Sequence, residues 1–228
     1  MYKGLTDVFF DLDHTLWDFE TNSALAFEKI LERNRVMVEL DAFLAIYSPI
    51  NFEMWKRYRE QEIGQEELRY QRLKRTFDAL NMEVGDGLIH RLSHEYIEQL
   101  PLHAHLLPNT LEVLEYLKPK YNLHIITNGF QEVQSRKLKG SGIERYFDIL
   151  VNSEMAGAKK PDPRIFQMAL EMAKADPGRS LMVGDNLQAD ILGARQMGMQ
   201  AIHFNSNGED GHDICTIIHD LIEIKSLI

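Results

Sequence analysis

Several short apolar segments of the sequence are each followed by polar side chains that could act together on a phosphate ester. In chain order these side chains supply two carboxylates, a hydroxyl with an amide, an ammonium group and two further carboxylates. Asp11 or Thr127 alone is typical of a helix cap or a turn, and Lys160 alone is typical of a solvated loop, but capping does not predict this order. The residues are Asp11, Asp13, Thr127, Asn128, Lys160, Asp185 and Asp190.

Two of these carboxylates, Asp11 and Asp185, fit a magnesium site suited to phosphate-ester chemistry. Phosphate monoesters hydrolyse so slowly that an enzyme must supply a rate increase of up to about 10²¹. A carboxylate nucleophile divides the reaction into two easier displacements, and a divalent cation neutralises the phosphoryl oxygens. Since Mg²⁺ takes one or two carboxylates together with water and the phosphate, we expect Mg²⁺ as the cofactor.

A predicted alternation of strands and helices positions these residues. The apolar run Thr6–Phe10 predicts a buried strand that ends at Asp11. Further strands are predicted at 123–127, 147–151, 180–184 and 200–204, with helices at 109–117, after 131, from about 162 and at 187–196. This alternation predicts an α/β fold, a doubly wound parallel sheet of Rossmann-like type. Ligands bind at the carboxyl ends of such strands, which is where the polar residues fall.

An all-helical stretch interrupts the alternation between residues 21 and 99. It carries four helical segments separated by polar or glycine-containing breaks. Within it, Ser48 and Pro49 predict a helix start, as cap and first-turn proline. We therefore predict a catalytic core made of residues 1–18 and 103–228, with residues 19–102 forming an inserted helical cap domain.

Composition and charge limit the partners of the protein. The 228 residues carry a formal net charge of −10, whereas binding of a nucleic-acid polymer needs a basic surface. No apolar run approaches the roughly 18 residues that a membrane span requires. We expect a cytoplasmic protein that acts on a small phosphorylated metabolite, with no nucleic-acid polymer and no membrane as partner. The oligomeric state stays open.

Four motifs resemble the haloacid dehalogenase (HAD) superfamily, specifically its phosphatase branch. FFDLDHTL is similar to the family's DxDxT signature, and IITNG is similar to its strand-ending threonine element. GAKKPDPRIF is similar to the lysine-proline element, and VGDNLQAD to the terminal acidic element. The four agree in order and spacing and span nearly the whole chain, and the helical insert resembles the small cap domain of the family.

The resemblance implies roles for the acidic residues. Asp11 is implied as the nucleophile that becomes an aspartyl-phosphate. Asp13 is implied as the general acid and later the general base, with its backbone carbonyl also on the metal. Asp185 is implied as a Mg²⁺ ligand, and Asp190 as a residue that orients a metal-bound water or Lys160.

The resemblance also implies roles for the other polar residues. Thr127 and Lys160 are implied to hold the phosphoryl oxygens, and Asn128 to contact the phosphate or to order its loop. In the family pattern the catalytic lysine directly precedes a proline, which favours Lys160 over Lys159.

The substrate is open to several interpretations. The stretches DLDHTLWDF and TNSALAF resemble the pyrimidine 5′-nucleotidase group, which implies a nucleoside 5′-monophosphate, with a sugar phosphate as runner-up. A phosphomutase of the β-phosphoglucomutase type keeps both aspartates and is a further alternative, whereas Asp13 argues against dehalogenation, because a halide leaving group needs no acid. Trp17 and Phe19 either stack on a base or pack between core and cap.

A non-enzymatic alternative is a phospho-receiver signalling module. Receivers also combine an acidic pair, a threonine and a lysine on a doubly wound sheet. The order of motifs in receivers differs from the order in this chain, and receivers have only about half of its length.

Overall fold

A computed structural model describes residues 2–206, 208 and 210–228. The core of the protein is a six-stranded parallel sheet. The strands are β1 (Asp7–Phe10), β2 (Asn122–Thr127), β3 (Ile149–Asn152), β4 (Ser180–Gly184), β5 (Gln200–Phe204) and β6 (Thr216–Ile218). Their order across the sheet is β3-β2-β1-β4-β5-β6, and all neighbours are parallel. The predicted α/β fold with a doubly wound parallel sheet is confirmed.

The α-helices fall into a group between β1 and β2 and a second group that alternates with the later strands. The first group is α1 (Phe19–Arg33), α2 (Leu40–Arg59), α3 (Gln65–Ala79) and α4 (Asp86–Gln99). The second is α5 (Thr110–Leu117), α6 (Gln131–Gly140), α7 (Ser153–Ala156), α8 (Pro163–Ala173), α9 (Gly193–Gln196) and α10 (Ile224–Leu227). A π-helix spans Leu187–Leu192, and 3₁₀ helices span Leu100–Leu102, Glu144–Tyr146, Pro177–Arg179 and Leu221–Glu223. Among the described residues, no helix has the length and apolar character needed to cross a bilayer.

β1 lies between β2 and β4 in the sheet, and all four of its residues, DVFF, are buried. Phe10 pairs with Ile125 of β2 on one side and with Val183 of β4 on the other. This register ends the three strands at one edge of the sheet, so the residues that follow them come together there.

The helix α8 packs on the sheet and fixes where the preceding loop ends. Its Phe166 is buried in one apolar cluster with Phe9 of β1 and Met182 of β4. The helix begins after Asp162, whose side chain accepts a hydrogen bond of 3.0 Å from the backbone N–H of Arg164. This cap satisfies one of the free N–H groups of the first turn and sets the end of the lysine-proline segment.

β6 was not predicted from the sequence. It has only three residues, Thr216–Ile218, and follows a polar, glycine-containing segment. A run of this length shows no alternation of apolar and polar residues, and the strand is defined by its pairing with β5.

The helical insert has a hydrophobic core of its own. The described chain divides into two units, the core (up to Phe19 and from Ala104 to Ile228) and the insert (Glu20–His103). Aromatic rings from all four insert helices meet: the ring of Phe27 lies 4.4 Å from Tyr96 and 4.5 Å from Tyr47. The cluster extends through Phe43, whose ring lies 5.6 Å from that of Phe77. Rings at these distances attract each other beyond the area they bury.

The prediction that a helix starts at Ser48 and Pro49 is wrong. α2 begins at Leu40, and Pro49 lies inside it. The buried face of α2 already starts at Phe43 and Tyr47, so tertiary packing overrides the helix-starting signal. Proline has no N–H, so Pro49 cannot donate the helical hydrogen bond to the carbonyl of Ala45. Both residues are exposed, which limits the cost of this missing bond.

The predicted helix at 187–196 is only partly an α-helix. Its first part, Leu187–Leu192, is a π-helix, and α9 follows it. Asn186 caps the π-helix by accepting a hydrogen bond of 2.8 Å from the Ala189 N–H. A π-helix frequently marks a functional site, and this one carries Asp190.

Candidate active site

Lys160 lies at the centre of the site, and only 2% of the residue is exposed. Its Nζ is 2.5 Å from Oδ1 of Asp11 and 2.7 Å from Oδ1 of Asp190. It also donates a hydrogen bond of 2.7 Å to the carbonyl of Ile126. Burial alone would lower the pKa of Lys160, but the two carboxylates outweigh burial and raise it. The ammonium is therefore charged and fixed.

Asn128 holds the backbone of Lys160. Its Oδ1 accepts a hydrogen bond of 2.7 Å from the Lys160 N–H, and its Nδ2 donates one of 3.0 Å to the Lys160 carbonyl. The carbonyl of Asn128 accepts in turn from the Ser153 hydroxyl at 3.2 Å. With both ends of the amide engaged, Asn128 orders the loop that carries the lysine. Its contact with a phosphate stays a prediction. Lys159, the neighbouring candidate, is half-buried.

Asp185 and Asp190 enter the site from the loop after β4 and from the π-helix. Asp185 Oδ1 accepts a hydrogen bond of 3.3 Å from the Thr15 hydroxyl, and Asp190 Oδ2 accepts one of 3.0 Å from the Asn186 N–H. A Cβ at Gly184 would lie 2.4 Å from Asp190 Oδ2. Only glycine at this position lets the carboxylate approach so closely.

Oxygen atoms of Asp11, Asp185 and Asp190 lie within 4.8 Å of one another. Lys160 supplies one positive charge against these three buried or half-buried carboxylates. Crowded carboxylates in a buried site repel each other unless further positive charge offsets them. A divalent cation supplies that charge, and carboxylate oxygens are ligands that Mg²⁺ prefers. The residues present therefore fit a Mg²⁺ site.

The pKa values of Asp11 and Asp185 reflect this crowding before any cation is bound. Burial raises the pKa of Asp11 to about 8, with Lys160 opposing the shift and the two other carboxylates adding to it. Burial likewise raises the pKa of Asp185 to about 8, with Asp190 adding and Lys160 opposing. Protons and a metal ion thus compete for the same oxygens.

Asp13 contacts a different set of groups, on α6. Its Oδ1 is 2.5 Å from Nζ of Lys137, and its Oδ2 accepts a hydrogen bond of 2.9 Å from Nε2 of Gln134. Burial alone would raise the pKa of Asp13, but Lys137 and Gln134 outweigh it and hold the pKa below its ordinary value. Two aspartates only two positions apart therefore have opposite shifts.

Thr127 ends β2 with its hydroxyl in the site. Its Oγ1 accepts hydrogen bonds from the Gly129 N–H at 3.1 Å and from Nε2 of Gln134 at 3.0 Å. A hydroxyl oxygen has two lone pairs, and both are used here. The hydroxyl hydrogen is therefore directed elsewhere, which suits a donor to an anion.

Gln134 and Lys137 were not predicted as site residues. The segment QEVQSRKLKG is mostly polar, so its burial is not evident. The signal lay in its two buried apolar residues: Val133 and Leu138 define the inward face of α6, and Gln134 and Lys137 fall between them on the helical wheel. Lys139 falls on the opposite side and is exposed.

Comparison with known families decides the identity of the fold. Residues 8–198 match the family model described as haloacid dehalogenase-like hydrolase. The chain belongs to the haloacid dehalogenase-like hydrolases. This confirms the family expected from the four motifs and the expectation of an enzyme. The non-enzymatic receiver module is thereby set aside.

Relatives of this hydrolase include phosphatases with different substrates. It is 32% identical to pyrimidine 5′-nucleotidase YjjG of Escherichia coli K12 over 201 residues, 88% of this chain and 86% of the relative. It is 30% identical to the glyceraldehyde 3-phosphate phosphatase of Methanothermobacter thermautotrophicus over 236 residues, 98% and 100% of the two chains. The crystal structure of the HAD-hydrolase YfnB of Bacillus subtilis bound to magnesium matches with a TM-score of 0.88 and 25% identity, over 99% of each chain.

Replacing Lys160 should destabilise the hydrolase far more than replacing its neighbour. Lys160→Met leaves Asp11 and Asp190 buried without their cation, so we expect the free energy of unfolding to fall by about 3 kcal/mol. Lys159→Met should change it by no more than about 1 kcal/mol, because Lys159 is only half-buried. Urea unfolding followed by circular dichroism at neutral pH measures both. Equal losses would contradict the assignment of Lys160 to the site.

Mg²⁺ should stabilise the protein more as the pH rises. The pKa of Asp11 and of Asp185 is about 8 in the folded protein, against roughly 3.9 in an unfolded chain. These raised values contribute stability that is full below about pH 4 and is lost as the pH rises through about 8. Mg²⁺ meets fewer competing protons at the higher pH and offsets that loss.

The expected result is an increase in Tm on adding Mg²⁺ that is larger near pH 9 than near pH 6, measured by thermal unfolding with and without the ion. Asp185→Asn is the matched variant and should lose most of the increase. An increase of the same size at both pH values would contradict competition between protons and the cation.

Proposed function

We propose that this hydrolase is a Mg²⁺-dependent phosphatase that cleaves a small phosphate monoester through an aspartyl-phosphate on Asp11. The observation that carries the proposal is the buried ammonium of Lys160, held 2.5 Å from Asp11 and 2.7 Å from Asp190. A fixed cation beside a carboxylate nucleophile offsets the repulsion that this carboxylate exerts on a phosphate dianion. An ordinary structural ion pair does not need a second buried acid beside the same lysine.

In the first step, an oxygen of Asp11 attacks phosphorus and the bond to the ester oxygen breaks. Asp13 gives a proton to the departing oxygen, which leaves as an alcohol. Thr127 donates a hydrogen bond from its hydroxyl to a phosphoryl oxygen, and the positive charge of Lys160 attracts the phosphoryl oxygens. A proton donor is required here because an alkoxide is a poor leaving group.

In the second step, water attacks the phosphorus of the aspartyl-phosphate. Asp13 takes a proton from this water, the bond between Asp11 and phosphorus breaks, and inorganic phosphate leaves. Asp11 returns as a free carboxylate. The lowered pKa of Asp13 suits this step, because the step starts from the carboxylate. In the first step, the negative charge of the bound phosphate ester favours the protonated form that gives the proton.

Magnesium would be held by Asp11 and Asp185, with the backbone carbonyl of Asp13 as the third protein group. When bound, it supplies positive charge to the phosphoryl oxygens. Asp190 contacts Lys160 at 2.7 Å, so its part is to orient the lysine.

We infer a nucleoside 5′-monophosphate as the substrate. The support is the sequence likeness to pyrimidine 5′-nucleotidase YjjG, together with the DLDHTLWDF stretch of this chain. The likeness to a glyceraldehyde 3-phosphate phosphatase supports small sugar phosphates as the second candidate. Trp17 and Phe19 are both buried, which favours packing over stacking on a base.

Asp11→Asn should abolish hydrolysis and leave the fold intact, because an amide cannot form the acyl phosphate. We expect kcat to fall by at least about 10⁴-fold, measured as phosphate release in the presence of Mg²⁺. Removing Mg²⁺ with a chelator should have a comparable effect on the native protein. Asp41→Asn, a change of the same type at an exposed position of α2, is the control. Full activity in Asp11→Asn would end this mechanism.

Among phosphate esters, nucleoside 5′-monophosphates should have a kcat/KM at least about tenfold above that of sugar phosphates. A phosphate-release screen with Mg²⁺ across nucleoside monophosphates, sugar phosphates and small phosphorylated acids measures this. A clear preference for sugar phosphates would overturn the substrate and leave the mechanism in place. Transfer of the phosphoryl group within a sugar phosphate, without release, would indicate a mutase.

A further inference from the structure

The carboxylate of Asp13 is held at both oxygens by one face of α6. Lys137 contacts Oδ1 at 2.5 Å, and Gln134 donates to Oδ2 at 2.9 Å. Part of the Asp13 side chain, 22%, stays exposed. The carboxylate is therefore restrained on the side of α6 and open on another, as a group that exchanges protons with a ligand must be.

Lys137 is an unusual residue to find at this place. It is 2% exposed, and its Nζ lies 4.1 Å from the centre of the Trp17 ring and 5.4 Å from that of Phe19. A buried ammonium is costly unless a carboxylate and other favourable contacts compensate it, and a cation over an indole ring gains further attraction. The contacts thus fix the ammonium at one point beside Asp13.

Gln134 links Asp13 to a second site residue. Its Nε2 donates to Asp13 Oδ2 and also to Oγ1 of Thr127, at 3.0 Å. A Cβ at position 129 would lie 1.5 Å from this nitrogen, so the bridge depends on Gly129. Within the described residues, Oε1 of Gln134 is buried and accepts no hydrogen bond. An unsatisfied buried acceptor beside the proton-transfer group points to a donor that arrives with the reactants.

We propose that Gln134 and Lys137 are positioning residues that hold the Asp13 carboxyl group in the orientation required to exchange a proton with the departing ester oxygen. This inference rests on the proposed phosphatase function and adds to it. Both residues act through Asp13, and Gln134 also fixes the distance between Asp13 and the phosphate-contacting hydroxyl of Thr127.

A positioning role predicts a dependence on the leaving group that a merely structural role does not. A nucleoside or a sugar leaves as an alkoxide unless it is protonated, whereas 4-nitrophenolate leaves without help. Loss of a well-oriented proton donor should therefore slow alkyl esters far more than 4-nitrophenyl phosphate. The constant kcat/KM isolates this effect, since it covers only the steps up to departure of the alcohol and excludes hydrolysis of the aspartyl-phosphate.

The experiment compares Lys137→Met with the native protein on 4-nitrophenyl phosphate and on the best alkyl ester from the substrate screen. Lys137→Met keeps most of the apolar stem and removes the charge. We expect kcat/KM to fall about 100-fold for the alkyl ester and no more than about fivefold for 4-nitrophenyl phosphate. Lys137→Arg keeps the charge and should restore most of the loss, and Gln134→Met should show the same split between esters.

Lys139→Met is the matched control, because Lys139 lies on the same helix with an exposed side chain that faces Glu144 at 4.0 Å. It should leave both rate constants unchanged. Thermal unfolding of each variant shows whether it folds, and Gln134→Met carries the test if Lys137→Met does not fold.

Equal losses on the two esters, or no loss on either, would overturn the positioning role while the phosphatase activity of the native protein stands. A native protein that hydrolyses neither ester with Mg²⁺ would overturn the proposed function and this inference with it. The two failures are therefore distinguished by the native control.

Discussion

One buried ammonium against three carboxylates is the interaction on which the site depends. Lys160 neutralises part of the charge that β1, β4 and the π-helix bring together, and it holds Asp11 and Asp190 at fixed positions. The remaining negative charge is the reason why the site fits a divalent cation. Other features serve this arrangement: Asn128 fixes the lysine backbone, and Gly184 makes room for the Asp190 carboxylate.

The protein separates two aspartates of one loop into different electrostatic environments. Asp11 shares Lys160 with other acids, and its pKa is raised, whereas Asp13 has Lys137 beside it and its pKa is lowered. In enzymes the acid that stays ionised serves as the nucleophile, so Asp11, with its raised pKa, needs a bound cation beside it to become the ionised nucleophile. Lys160 contacts Asp11 from the loop before α8, whereas Lys137 contacts Asp13 from α6. The two electrostatic environments are therefore formed by different elements.

The sheet and its polar edge were accessible from the sequence because short apolar runs followed by acids give a strong local signal. The features that were missed depend on tertiary structure. Pro49 lies within α2 because Phe43 and Tyr47 pack inside the insert, and β6 exists through its partner strand. Gln134 and Lys137 sit in a polar helix whose inward face is marked by only two apolar residues, Val133 and Leu138. Lysine side chains are seldom buried, so the residue type alone did not predict that Lys137 lies in the interior.

The order of strands along the chain also has a consequence for synthesis of the protein. Asp7 of β1 pairs with Asn122 on one side and with Ser180 on the other, so the central strand is made long before either partner. The insert helices can form from local contacts while β1 still lacks a neighbour. An unpaired apolar strand such as DVFF is prone to associate with other chains. The position of the insert thus creates a period during translation in which the yield of folded protein depends on synthesis rate and on chaperones.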